Sequence, residues 1–125
     1  MDRSGEIYAQ DLIAYYKASF YMTIRLVNGN GNPLRLSTGE KLIFGVKRAY
    51  TDTTYLLKKV LTSADELDGE YTVSFSPTDM NDANVVPGLY YYDVSVQYPD
   101  GSLIKVIPRS RFLVIESETE VEVSS

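Results

Sequence analysis

The stretch Pro87–Val114 constrains the fold more than any other part of the chain. Tyr90, Tyr92, Val94, Val96 and Tyr98 recur at the period of two that a strand imposes, and Tyr91, Asp93, Ser95 and Gln97 fall on the opposite face. One face is expected to be dry and the other wet. Tyr98-Pro99-Asp100-Gly101-Ser102 then reverses the chain, because Pro99 presets its φ, Asp100 tolerates turn geometry and Gly101 accepts positive φ. A second strand follows at once, and the pair predicts an all-β module.

Other segments extend the pattern. Lys17–Val27 alternates with Ala18, Phe20, Met22, Ile24 and Leu26 on one side, so a strand is predicted there, followed by a turn at Asn28–Pro33. Leu42, Phe44 and Val46 define another dry face, Thr54–Leu61 is a further strand candidate, and Tyr71, Val73 and Phe75 define one more. This spacing of short strands suits a β-sandwich. Residues 6–16 fit either a short helix or an edge strand turning at Lys17, and the strand is favoured because no helical period develops. Ser76–Asp82 predicts a helical turn with Pro77 near its first position.

With 125 residues and 44% apolar content the chain suits one domain with a core large enough to fold unaided. The boundaries read as an N-terminal extension over 1–11, a sandwich over 12–115 and an acidic tail over 116–125. The chain contains neither His nor Cys. That removes the imidazole base, the thiolate nucleophile and the usual zinc ligands, so neither a metal nor a cofactor is expected. The formal net charge is −5, but Glu116, Glu118, Glu120 and Glu122 supply four of the 17 acidic residues with no base among residues 116–125. The remainder is almost neutral with scattered cations, which argues against nucleic acid as the main partner. No apolar run approaches the ~20 residues needed to span a bilayer, and no signal peptide is visible.

Several constellations carry candidate chemistry. Pro87-Gly88-Leu89-Tyr90 has the form of a tyrosine corner, a structural device in which Pro87, Gly88 and Tyr90 lock a crossing between sheets. Tyr91 points away from the dry face and is the better candidate for a contact surface. Lys105, Arg109 and Arg111 form the densest basic patch, able to seat a partner's carboxylate, or else the wet face of a bulged last strand. Asp65, Glu66, Asp68 and Glu70 cluster around Gly69, but their spacing does not match a twelve-residue calcium loop. Asp79 with Asp82, or Asp93 with Asp100, would need a cleft and a defined separation to act as acid and base. No enzyme is expected. Residues 116–123 alternate Glu with Ser, Thr and Val, so they can run on as a strand where a neighbour supplies an edge, with Glu118, Glu120 and Glu122 facing its Lys or Arg. A solubilising tail is the alternative.

The order of these features resembles a known family. The early alternating strand, Gly29-Asn30-Gly31-Asn32-Pro33, Gly39-Glu40-Lys41-Leu42-Ile43-Phe44-Gly45-Val46-Lys47, Phe75-Ser76-Pro77-Thr78-Asp79, Pro87-Gly88-Leu89-Tyr90-Tyr91-Tyr92-Asp93-Val94, Asp100-Gly101 and Phe112-Leu113-Val114 are similar to the immunoglobulin-like N-terminal domain of the upper baseplate protein family of phages infecting Gram-positive bacteria, and to small prophage tail proteins. Lys17-Ala18-Ser19 departs from the Gly-Asp turn common there. The resemblance covers about residues 12–119 and implies a single immunoglobulin-like antiparallel β-sandwich. It further implies a non-enzymatic structural or adaptor protein of the virion tail or baseplate, assembled in the host cytoplasm. Its partners would be other phage tail or baseplate proteins or further copies of itself. The rival reading is a carbohydrate-binding or adhesion-type module presenting exposed tyrosines.

Overall fold

The computed structural model describes residues 11–27, 30–49 and 51–116. Seven strands run in chain order: β1 (Leu12–Tyr15), β2 (Phe20–Arg25), β3 (Lys41–Lys47), β4 (Leu57–Leu61), β5 (Glu70–Phe75), β6 (Gly88–Gln97) and β7 (Leu103–Ile115). They form a five-stranded sheet of order β1-β7-β6-β3-β4 facing a two-stranded sheet of β2 and β5. The chain is an all-β sandwich. Neighbouring strands are antiparallel except β1 and β7, which run parallel with Leu12 opposite Phe112 and Tyr15 opposite Ile115.

Alternation builds the core as the sequence predicts. Phe20, Ile24, Phe44, Val46, Val73, Phe75, Tyr92, Val94 and Val96 are buried, and Met22 is half-buried against them. Phe44 is fully enclosed at the centre, with the rings of Phe75 and Tyr92 at 5.9 and 5.6 Å and those of Phe20 and Phe112 slightly farther. Tyr71 is also fully buried, and its hydroxyl accepts the Leu36 N–H at 2.8 Å, which satisfies the polar atom its side chain carries inward.

Local signals set the connections. The turn between β6 and β7 places Gly101 at φ 92°, and the Asp100 carboxylate accepts from the Ser102 N–H and hydroxyl at 2.9 and 2.7 Å. The helical turn α1 (Pro77–Asp82) has Pro77 in its first turn and a reciprocal capping box between Ser76 and Asp79. Tyr90 closes a tyrosine corner: its hydroxyl donates to the Val86 carbonyl at 2.7 Å and accepts the Val86 N–H at 3.1 Å. Pro87 and Gly88 lie inside the span it closes, with Gly88 opening β6.

Three expectations are corrected. The strand expected over Lys17–Val27 begins only at Phe20, because Lys17 takes the left-handed conformation at φ 66° and turns the chain out of β1. The strand expected from Thr54 starts at Leu57, since Tyr55 leaves the sheet edge to lie across Gly45. The wet face expected of β6 is covered in its middle: Asp93 and Ser95 are each only 6% exposed.

Candidate interface

Strand parity directs each predicted site residue. Phe112 and Val114 of β7 point into the core, so Arg111 and Leu113 point to the outer face of the five-stranded sheet. Two register shifts between β6 and β7, one after Tyr92 and one after Val94, each set one extra β7 residue against β6, and the first marks the bulge around Pro108. Beyond it, Lys105 lies opposite Ser95, and Lys105 and Arg109 line a small outer hollow with Tyr91 and Asp93. The basic patch of the sequence is therefore one face of one bulged strand.

The centre of this face is a polar network. The Asp93 carboxylate accepts from the Tyr55 hydroxyl at 3.2 Å and from Lys105 Nζ at 2.9 Å. Burial, followed by the Asp93 charge and hydrogen bond, pushes the Tyr55 phenol above its ordinary range. Lys47 Nζ sits 5.1 Å from the Tyr55 ring centroid, which adds a cation on the ring's face. Tyr91, proposed as a contact residue, is half-buried and lies opposite Arg111 in register. Arg111 makes a two-pronged bond to Asp11, Nε to Oδ1 at 3.1 Å and Nη2 to Oδ2 at 2.6 Å, and that carboxylate holds the guanidinium above its ordinary pKa. Glu118, Glu120 and Glu122 lie outside the described residues.

Two apolar surfaces escaped the sequence reading. The first is a row across three strands on the outer face, in which Ile13 lies opposite Leu113 and Leu113 opposite Leu89. Ile13 and Leu89 are 51% and 45% exposed, and Tyr15 and Ile115 extend the patch by a second exposed pair. The signal was present as apolar residues on the wrong parity beside Ala14, Tyr90 and Phe112. The second surface is a groove of about 750 Å³ between β2 and the first half of β7, with Leu34, Leu36, Tyr92 and Tyr98 also lining it. Its rim leaves Val27, Leu34 and Ile104 about half exposed. No period in the sequence could reveal it, because it arises where two sheets gape.

Most of the carboxylates considered for chemistry have structural work. Asp79 caps α1, and the Ser76 backbone N–H it accepts holds its pKa below the usual carboxylate value. Asp100 is likewise lowered, first by the Ser102 hydroxyl. Asp65 accepts the Thr62 N–H, Glu66 bonds Arg35 and the Gly69 N–H, and Glu70 lies 3.8 Å from Arg25. Among the described residues no group of three acidic, His or Cys side chains could hold a metal ion.

The chain matches no family model and no curated protein. Among solved structures it is similar to murine CRIg, with 13% identity, coverage of 86% of this chain and 92% of that chain, and a TM-score of 0.40.

Proposed function

We propose that this chain is a non-enzymatic structural or adaptor protein that works by protein–protein assembly, in the setting its sequence resemblance implies, a phage or prophage tail or baseplate. The observation that carries the assembly reading is the exposed row Ile13–Leu113–Leu89 with Tyr15 and Ile115 beside it. Isolated exposed apolar residues are ordinary on a protein surface, whereas a contiguous patch on a flat sheet face is the usual mark of a partner site. Beside it on the same face, Arg111 and Lys47, which both lie opposite Tyr91, supply a polar border of the kind that orients a docking partner. Further support comes from the carboxylates, which cap, brace turns or pair with cations rather than converge on a cleft.

The test is co-expression with the tail and baseplate proteins encoded beside the gene, followed by affinity purification. A stable complex with at least one of them is expected, and the double variant Ile13→Lys/Leu89→Lys should lose it while melting within a few degrees of the parent, since both sites are exposed. Saturable sugar binding by a chain that captures none of these proteins would overturn the proposal in favour of a glycan-binding module.

A further inference from the structure

Strand registers arrange the outer face of the five-stranded sheet in rows. Leu42, Phe44 and Val46 of β3 and Leu57 and Leu61 of β4 are buried in the core, so Lys41, Ile43 and Lys47 of β3 and Lys58 and Val60 of β4 turn outward. Next to the apolar row Ile13–Leu113–Leu89 comes a row of Arg111, Tyr91 and Lys47. Asp93, Gly45 and Lys58 lie abreast beyond it, then Ser95, Ile43 and Val60, and Gln97 beside Lys41 ends the face.

The acids on this face are already engaged. Asp11 holds Arg111 at 2.6 Å, and Asp93 holds Lys105 at 2.9 Å. Lys41, Lys47 and Lys58 form no ion pair among the described residues. Lys47 rests on the Tyr55 ring, a contact that leaves its charge in place. The outer face of the two-stranded sheet has no such excess, because Arg25 faces Glu70 and the other opposed pairs are Thr23 with Thr72 and Tyr21 with Ser74.

Edge protection accounts for one of the three lysines. Lys58 is on β4, an edge strand, where a lysine discourages the addition of a further strand. Lys41 and Lys47 are on β3, which has β4 on one side and β6 on the other, so they guard no edge.

We propose that this face docks an acidic protein surface, whose apolar patch covers Ile13, Leu113 and Leu89 while its carboxylates meet Lys47, Lys58 and Lys41; the inference rests on the assembly reading above and names the chemistry of the partner. The size is suitable. The ten residues of β6 at ~3.3 Å each, across five strands about 4.8 Å apart, outline roughly 600 Å², close to the ~800 Å² that one side of a standard interface buries.

Charge selects among the occupants. A second copy packed face to face would bring two sets of three lysines into one interface with no unpaired acid to meet them. The formal charge of the chain is −5, so everything outside these three lysines carries −8. Duplex DNA or an anionic bilayer extends past the face and meets that negative remainder, whereas a protein surface of matching size meets the lysines alone. Charges of this kind act chiefly on the rate of encounter and on its salt dependence, which sets the readout.

The test compares the full chain with the variant Lys41→Gln/Lys47→Gln/Lys58→Gln, which should melt within a few degrees of the parent because the three side chains are exposed or half-buried. Each tail or baseplate protein encoded beside the gene is mixed with both forms, and the complex should associate at least about tenfold more slowly with the variant, or with the parent when salt is raised from ~50 to ~300 mM. In the NMR spectrum of the parent, a short polyglutamate should shift the amides of Lys41, Lys47 and Lys58 and leave those of Thr23 and Thr72 in place. A complex that forms equally fast with both chains and at both salts overturns this inference and leaves the assembly reading standing, whereas no complex with any of these proteins overturns both. Absence of polyglutamate shifts at the three lysines also overturns it, as does binding to duplex DNA or phosphatidylserine vesicles as tight as to the protein partner. So do shifts that appear only after residues 116–125 are removed, which would make the chain's own acidic tail the occupant.

Discussion

Tyr55 lies directly over Gly45, so close that a Cβ on Gly45 would fall 2.2 Å from the tyrosine ring. The missing side chain lets the ring cross β3 and bring its hydroxyl to Asp93 on β6, 38 residues away in sequence. Gly45→Ala should therefore displace Tyr55 and destabilise the domain by about 1–3 kcal/mol, the usual range for overpacking. Urea unfolding measures it. In a double-mutant cycle, Gly45→Ala should cost little in the Tyr55→Ala background, because the clash partner is then gone.

Tyr55 also predicts an alkaline response. Its folded pKa is raised above the ordinary value of 10.0, so the neutral phenol is the form the fold favours. The stability this supplies is present below about pH 10 and is lost as pH rises through the folded pKa. Tyr55→Phe should be less stable than the parent at pH 7, with the gap narrowing above pH 10. A constant gap across that range would contradict the linkage.

The tyrosine corner gives a local test. Tyr90→Phe keeps a ring that is 3% exposed but leaves the Val86 N–H and carbonyl without their hydroxyl partner. A loss of about 1–3 kcal/mol is expected in chemical denaturation. Hydrogen exchange at the Val86 amide should speed up while amides in β3 keep their protection relative to the new global stability.

Phe44 is the centre of the aromatic cluster and has no exposed surface. Phe44→Ala should cost about 3–5 kcal/mol, a large share of the ~5–15 kcal/mol that holds a domain together. Differential scanning calorimetry should show a sharply lowered Tm or no cooperative transition.

On the acid side, Asp79 and Asp100 have folded pKa values below the ordinary 3.8, each held down by local hydrogen bonds. Their contribution is present above about pH 4 and is lost as pH falls through the folded values. Replacing both with Asn should flatten the acid limb of a stability profile between pH 5 and pH 2. An unchanged slope would show that other carboxylates govern it.

Much of the architecture was legible because it depends on short-range rules. The period of two in Phe20-Met22-Ile24, Leu42-Phe44-Val46 and Tyr92-Val94-Val96 places these residues in the core with no knowledge of their neighbours. The turns and caps were legible for the same reason: Pro77 after Ser76, Asp100-Gly101, and Pro87-Gly88 ahead of Tyr90 each act within a few residues. What only the tertiary structure decided are the features that join distant strands. Asp93 reads as a solvent-facing strand residue until Tyr55 and Lys105 arrive from other elements to cover it. Ile13, Leu113 and Leu89 become one patch only when β1 and β6 flank β7. The groove beside Ile104 has no sequence period because it is space left between two sheets, and such space is fixed by how the sheets pack rather than by either strand alone.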